Sequence, residues 1–459
     1  MSLFRKLDPE EETRIMLGEP RAAVRHVAIP FLISLVIGQI NMLADLAWCS
    51  GLGSESVSAI QAVTPLFWVV FDIGLGIGLG CNVLISRQIG SGDRKSAEST
   101  IIHGIILSIV IATVTAPFIY LLIEPMMIWM GAGEISSMGV SYLTPVLACN
   151  IFQVLSPTLA GFLRGEGAAK RSNYAMIAGT LTNIVLDPIL IYGCGLGVMG
   201  AGIATAMVPV VSTVIMLYFY ISKSTTIPMT IKGFRFNWGF VGSILYIGMP
   251  KMLEMFTMDA LDAINRLFLI ECAGIDAMVL FSVPFRIILL GVMMINALAL
   301  SLTPVASANL GAKAFDKSRA AFSYCISMGI LISACLITIY LRLANVMVIP
   351  FTMSDSMIGM RGDLADILRA EVLLIPAIGL MMVSNSMLQA MRMPMMALLM
   401  TFARTGFTTL SFMFLKDTTV LTMCIGMTCI TVITSAAAYL ITRKAIGIVE
   451  RKECSYSEA

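Results

Sequence analysis

Twelve apolar stretches, each long enough to cross a lipid bilayer, follow one another with short polar breaks. No other feature of this chain restricts its fold as strongly. They lie near residues 27–48, 57–82, 101–123, 139–163, 174–193 and 199–220, then near 240–270, 277–303, 321–345, 370–391, 394–415 and 419–442. About 20 apolar residues span the hydrocarbon as a helix, because a backbone in lipid must satisfy its own hydrogen bonds. The composition agrees: 58% of residues are hydrophobic and 13% charged, with a mean hydropathy of +0.90, whereas soluble domains carry about 25% charged residues. The expected class is an all-α polytopic membrane protein. A net charge of +2 gives no basis for a nucleic-acid partner. The 10 cysteines include no CxxC pair and read as free, small apolar packing groups. The two histidines, His26 and His103, are far apart, which argues against a zinc site.

An even number of spans puts both termini on one side. The opening segment, MSLFRKLDPEEETRIMLGEPRAAVRH, has no early apolar core, so it reads as a cytoplasmic, partly amphipathic lead-in and not as a cleaved signal. With cytoplasmic termini, most Lys and Arg fall on that side, including Arg87, Arg94, Lys95, Arg164, Lys170, Arg171, Lys223, Lys232, Arg235, Lys313, Lys317 and Arg319. The outer loops hold only Arg361, Arg369 and Lys416. That asymmetry is the positive-inside pattern, and Trp48 and Trp129 fall at predicted outer interfaces where indoles prefer to sit.

The two halves resemble each other. Pro30 in IPFLISLVIGQINMLAD pairs with Pro250 in MPKMLEMFTMDALDAIN, Gly90 with Gly311, and Arg164 with Arg392, at a nearly constant offset. Six spans per half return the chain to its starting side, so the second half enters the membrane in the same orientation. The expected domains are a cytoplasmic segment 1–26, an N-lobe 27–221, a cytoplasmic inter-lobe loop 222–238, a C-lobe 239–442 and a cytoplasmic tail 443–459. Two parallel lobes with a path between them is a plan that secondary transporters use.

Polar groups inside the spans point to the chemistry. GLGIGLG (74–80) follows no soluble strand, so it is not a dinucleotide loop; Gly74/Gly78 and Gly76/Gly80 are small-xxx-small pairs for close helix packing. Asn41 and Asp45 in the first span, and Asn183 and Asp187 in the fifth, are each four residues apart and share a helix face. An ionisable group at mid-bilayer costs roughly 2.5–3.5 kcal/mol on insertion scales. Two carboxylates brought together require a proton or a bridging cation. With two amides and a hydroxyl such as Thr205, the set offers enough oxygens for H⁺ or Na⁺. Asp262 and Arg266 are spaced to neutralise each other. Glu254, Asp259, Asp72 and Arg286 are candidates to line a central cavity, where acidic walls would suit cationic amphipathic ligands. Some of the 35 methionines would make that surface deformable. Pro30, four turns before Asp45, is a candidate bend point.

The chain resembles the multidrug and toxin extrusion (MATE) transporters over essentially its whole length. The resemblance is carried by Pro30 with NMLAD, SRQIGSGDRKSAE after the second span, LRGEGAAKRS after the fourth, and TNIVLDPILIYGCGLGVMGAGIAT across the fifth and sixth. It implies 12 transmembrane helices in two pseudo-symmetric six-helix lobes in a V shape, working by alternating access. It places a cation site on Asp45, Asn183, Asp187 and Thr205, with Tyr142 as a further member and Pro30 as the bending proline. One branch of the family uses a Glu in the seventh span and an Asp in the tenth. Here Glu254 and Asp259 do not match the spacing from Pro250, the tenth span offers Asn385 instead, and no C-lobe cation site is assigned.

The expectation is a monomeric antiporter of the cytoplasmic membrane. It would export small organic, cationic compounds driven by Na⁺ or H⁺, with membrane lipid as its surroundings and no further cofactor. The rival within the superfamily is a lipid-linked saccharide flippase, kept open by Arg266, Arg286 and Arg404. An intramembrane enzyme with paired aspartates is opposed by the duplicated lobes and the lack of large polar loops.

Overall fold

The computed structural model describes residues 9–230, 234–274, 276–352 and 358–457. Residues 1–8 of the lead-in, Lys232 of the inter-lobe loop and the last two tail residues lie outside the described residues. Among the described residues every regular element is a helix. A short α1 (Pro9–Leu17) precedes α2 (Pro20–Ser50), α3 (Ser54–Gly90) and α4 (Arg94–Trp129). The fourth span is broken into α5 (Ser136–Ala148) and α6 (Asn150–Gly165), followed by α7 (Ala169–Pro188) and α8 (Gly197–Ile221). The second half has α9 (Trp238–Ala273), α10 (Asp276–Gly311), α11 (Phe315–Met347), a broken tenth span of α12 (Arg361–Glu371) and α13 (Leu374–Ala390), then α14 (Pro394–Leu415) and α15 (Val420–Ser457).

Nine of these helices are long and apolar enough to cross a membrane among the described residues, and two bent pairs bring the number to 11. The remaining predicted span is α9. At 36 residues it is long enough, but Lys251, Glu254, Asp259, Asp262 and Arg266 lower its hydropathy. Both broken spans bend, by 55° at Cys149 and by 40° between Glu371 and Leu374. Pro376 accounts for the second bend, because a proline ring clashes with the carbonyl four residues earlier, here Val372. Prolines at the first turn open α2 and α14, where a missing N–H costs nothing. Between α3 and α4 the SGD turn uses a left-handed Gly92, and Asp93 accepts the Ser96 N–H at 3.1 Å as a helix cap.

The chain forms two compact units: the segment up to Glu19 with Ile29–Met252 and Gly311–Lys313, and Pro20–Ala28 with Leu253–Leu310 and the segment from Ala314 onward. The core of the first unit is α3. In lipid, helices associate by close packing and not by exclusion of water, and the GLGIGLG stretch supplies that closeness on two faces. A Cβ added at Gly78 would meet the Pro157 carbonyl of α6, and one at Gly161 would meet the Gly78 carbonyl. On the opposite face, Gly76 abuts Gly248 and Met252 of α9, and Gly80 abuts Ile244. The packing role read from the sequence is the role these glycines have. Buried hydrogen bonds tie the neighbours together: Ser108 donates to Thr158 at 3.0 Å, and Asn150 Nδ2 donates to the Ala112 carbonyl at 2.7 Å.

Candidate cation site and its surroundings

Four helices of the first unit, α2, α5, α7 and α8, bring together the polar groups singled out in its sequence. A Cβ on Gly202 would strike the Tyr142 carbonyl, so α8 lies against α5 with no side chain between them. One turn further along α8, Thr205 Oγ1 meets the Tyr142 hydroxyl at 3.3 Å. Gly179 similarly admits the Val208 carbonyl and Ser212, which seats α7 on α8. Along α7, Asn183 Nδ2 donates to Asp187 Oδ1 at 3.3 Å, as the four-residue spacing requires. The carboxyls of Asp45 and Asp187 are within hydrogen-bonding reach of each other across α2 and α7. Tyr142 is close enough to feel both. The Cys49 thiol points back one turn to Asp45 Oδ1 at 3.9 Å.

Asp187 is fully buried, and its second oxygen, Oδ2, has no hydrogen-bond donor; Asn41 Oδ1 is in the same condition. An acceptor buried without a donor is costly, about 1–3 kcal/mol and more when charged. Such an atom suits a proton or a hard cation. The remaining donors are oxygen-rich: two carboxyls, an amide and two hydroxyls. That set fits Na⁺ and not a soft metal. Among the described residues no group of three His, Cys, Asp or Glu is placed to hold a metal ion.

Other predicted residues lie elsewhere. Pro30 is buried in an unbroken α2, and the guanidinium of Arg164 stacks on its neighbour Phe31 at 5.0 Å. In the second unit Glu254 is buried: its Oε1 accepts from Thr401 at 3.0 Å and from Asn385 at 3.3 Å, while Asn385 also donates to Thr401 at 2.9 Å. Asp259 and Arg286 are exposed, and Asp262 pairs with Arg266 at 2.9 Å as its spacing predicts.

Sequence reasoning missed a cluster at the start of the inter-lobe loop. Glu166, in the quoted LRGEG motif, is fully buried; Tyr220 donates to it at 2.7 Å, and the Thr226 and Ile227 N–H groups at 2.9 and 3.3 Å. Its own carbonyl accepts Thr13 of α1 at 3.0 Å, while Glu12 pairs with Arg171 at 3.5 Å. Burial pushes the Glu166 carboxyl up to about 7 against these hydrogen bonds, and pushes Glu12 up to about 7 against Arg171 and Lys170. The ring of His103 in α4 is also enclosed, by Phe234, Phe236 and Phe240, and its Nε2 accepts the Asn237 N–H at 2.8 Å.

The MatE family model matches residues 30–189 and again 250–415. The chain belongs to the MATE family. The two matches begin at Pro30 and Pro250, the residues that open the internal repeat. The MATE proteins most informative here are multidrug export proteins. MepA of Staphylococcus aureus (strain N315) is 26% identical over 358 residues, covering 77% of this chain and 78% of that one. MepA of Staphylococcus saprophyticus is 28% identical over 340 residues, covering 73% and 72%. Among solved structures, the outward-facing conformation of a multidrug resistance MATE family transporter of the MOP superfamily superposes with a TM-score of 0.91 at 27% identity, covering 96% of this chain and 99% of that chain. A MOP superfamily transporter from Pyrococcus furiosus Vc1 has the same TM-score at 28% identity and the same coverage; the reverse polarity of its binding pocket is described as suggesting a different function. This MATE chain is therefore a multi-pass membrane transporter of a multidrug-efflux family, with the all-helical fold expected from its sequence.

Proposed function

We propose that the protein is a secondary active antiporter of the cytoplasmic membrane. It exports organic, cationic amphipathic compounds in exchange for H⁺ or Na⁺, by alternating access between an N-lobe and a C-lobe of six spans each, with both termini cytoplasmic. The observation that carries this reading is the meeting of Asp45 and Asp187, with Asn183, Thr205 and Tyr142 around them and Asp187 Oδ2 lacking a donor. An ion or proton neutralises that pair and thereby favours the conformation in which the two carboxyls are closed together. Substrate favours the other conformation, and two ligands with opposite preferences are coupled through a shared equilibrium. Pro30 gives α2, which carries Asp45, a place to bend between these states. The protein works as a monomer and needs no cofactor beyond the coupling ion.

The test is efflux of a fluorescent organic cation from proteoliposomes, with Na⁺ and pH gradients imposed separately. Export driven by one gradient and lost in Asp187→Asn supports the reading and names the ion. Full transport by Asp187→Asn would sink the site. The flippase alternative draws on the reversed pocket polarity described for the Pyrococcus furiosus neighbour and on the exposed Arg286. Lipid flipping lost in Arg286→Ala, with drug export unaffected, would favour it.

A further inference from the structure

Immediately after Asp187 the backbone changes register. Pro188 ends α7, and residues Ile189–Gly193 form one π turn, closed by the Cys194 N–H to the Ile189 carbonyl at 2.8 Å. Single π turns are rare and concentrate at functional positions, because the extra residue re-aims the side chains that follow. Here the re-aimed side chain is Tyr192. Its hydroxyl donates to the Trp48 carbonyl at the end of α2, and the two rings meet edge-on with centroids 6.4 Å apart. The Trp48 carbonyl lies in the last turn of α2, where the regular four-residue donor is missing; it takes the Gly51 N–H at 3.3 Å and has a second lone pair free for the Tyr192 hydroxyl. Tyr192 therefore acts as a helix cap supplied from another span. Gly51 makes room for it: a Cβ there would strike the Tyr192 hydroxyl. Beneath the cap lie Cys49, only 3% exposed, and then Asp45.

Asp187 and Asp45 are thus joined by two routes, carboxyl to carboxyl and through Pro188, the π turn, Tyr192 and Trp48. We propose that Tyr192 is a positioning residue for the cation site: its hydroxyl clamps the Ser50 end of α2 so that Asp45 stays against Asp187, and its release opens the pair from that end. The inference rests on the antiport reading and adds the residue that sets access and affinity.

The test uses the full-length protein. In reconstituted efflux, Tyr192→Phe keeps the ring and removes the hydroxyl. The coupling-ion concentration for half-maximal rate rises about fivefold, the effect of one net hydrogen bond, while the maximal rate changes little. In detergent, alkylation of the native Cys49, followed by peptide mass spectrometry, accelerates by a similar factor. Gly51→Ala produces the same pair of changes by pushing on the hydroxyl, and adds nothing in the Tyr192→Phe background, where the obstructed atom is gone. A Tyr192→Phe protein with wild-type ion dependence and wild-type Cys49 reactivity overturns the clamp. So does a loss of maximal rate with ion dependence unchanged, which marks a merely structural role. Retained transport in Asp187→Asn would defeat the antiport site instead, and the Cys49 rates would still decide whether Tyr192 holds α2.

Discussion

The two units each bury a carboxyl-centred cluster, and the clusters are built on opposite terms. In the first, Asp45 and Asp187 face each other, and the neighbouring hydroxyls and amide leave Asp187 Oδ2 without a donor. In the second, one carboxylate, Glu254, receives two donors from Thr401 and Asn385, with the charge of Arg404 also near enough to act on it. The first arrangement has more negative charge than its surroundings compensate. In the second the carboxyl is met by its own neighbours, and the acceptor left without a donor is the neutral amide oxygen of Asn385. Unsatisfied charge creates demand for a ligand, and satisfied charge creates rigidity. Under the antiport proposal, the first cluster is the one suited to binding a cation and the second the one suited to holding its shape.

The largest effect expected is that of Asp187→Asn, which removes the excess charge and takes gradient-driven efflux to background with normal expression. If Glu254→Gln does the same, the contrast between the units is wrong. The expected result for Glu254→Gln is near-normal efflux with stability lowered by about 1–2 kcal/mol, as a charge-assisted hydrogen bond becomes a neutral one; thermal denaturation in detergent reads this. Thr205→Val sharpens the picture on the first side. Losing one oxygen of the set weakens ion dependence by about fivefold while Thr401→Val leaves ion dependence alone, as titrations of efflux against the driving ion would show.

The smallest effect is a pH dependence outside the membrane. Glu166 and Glu12 sit at about 7 when buried against α1 and the loop, above the ordinary 4.5. A carboxyl raised on docking takes up a proton as it docks. Docking is therefore tightest below about 4.5 and weakens as pH rises through about 7. Hydrogen exchange at the Thr226 and Ile227 amides, corrected for intrinsic rates, quickens modestly between pH 6 and 8, and Glu166→Gln flattens the change.

Much of this was legible in the sequence, for identifiable reasons. Spans are set by length and apolarity, which need no tertiary information. Asn41/Asp45 and Asn183/Asp187 were visible because helix geometry fixes what four residues apart means, and Thr205 was found as a hydroxyl in the following span. The packing of GLGIGLG followed from the absence of side chains. Tyr192 was hidden because its direction depends on a π turn that helical periodicity does not anticipate. Glu166 was hidden because a loop carboxylate is normally solvated, and only the tertiary approach of Tyr220, Thr226 and Ile227 makes it buried. The stretch near 240–270 reads as an apolar run of spanning length, but the charges along α9 bring its hydropathy below that of the other spans.

The glycine face that α3 turns toward α9 bears on how the protein is made. Gly76 and Gly80 lie against Gly248 and Ile244, and α9 as far as Met252 belongs to the first unit. As the chain leaves the ribosome, the first six spans are made before the helix that fills this furrow. It is filled when the seventh span arrives. The repeat and the compact unit are therefore different lengths of chain, and the first unit is complete only after the second repeat has begun to be synthesised.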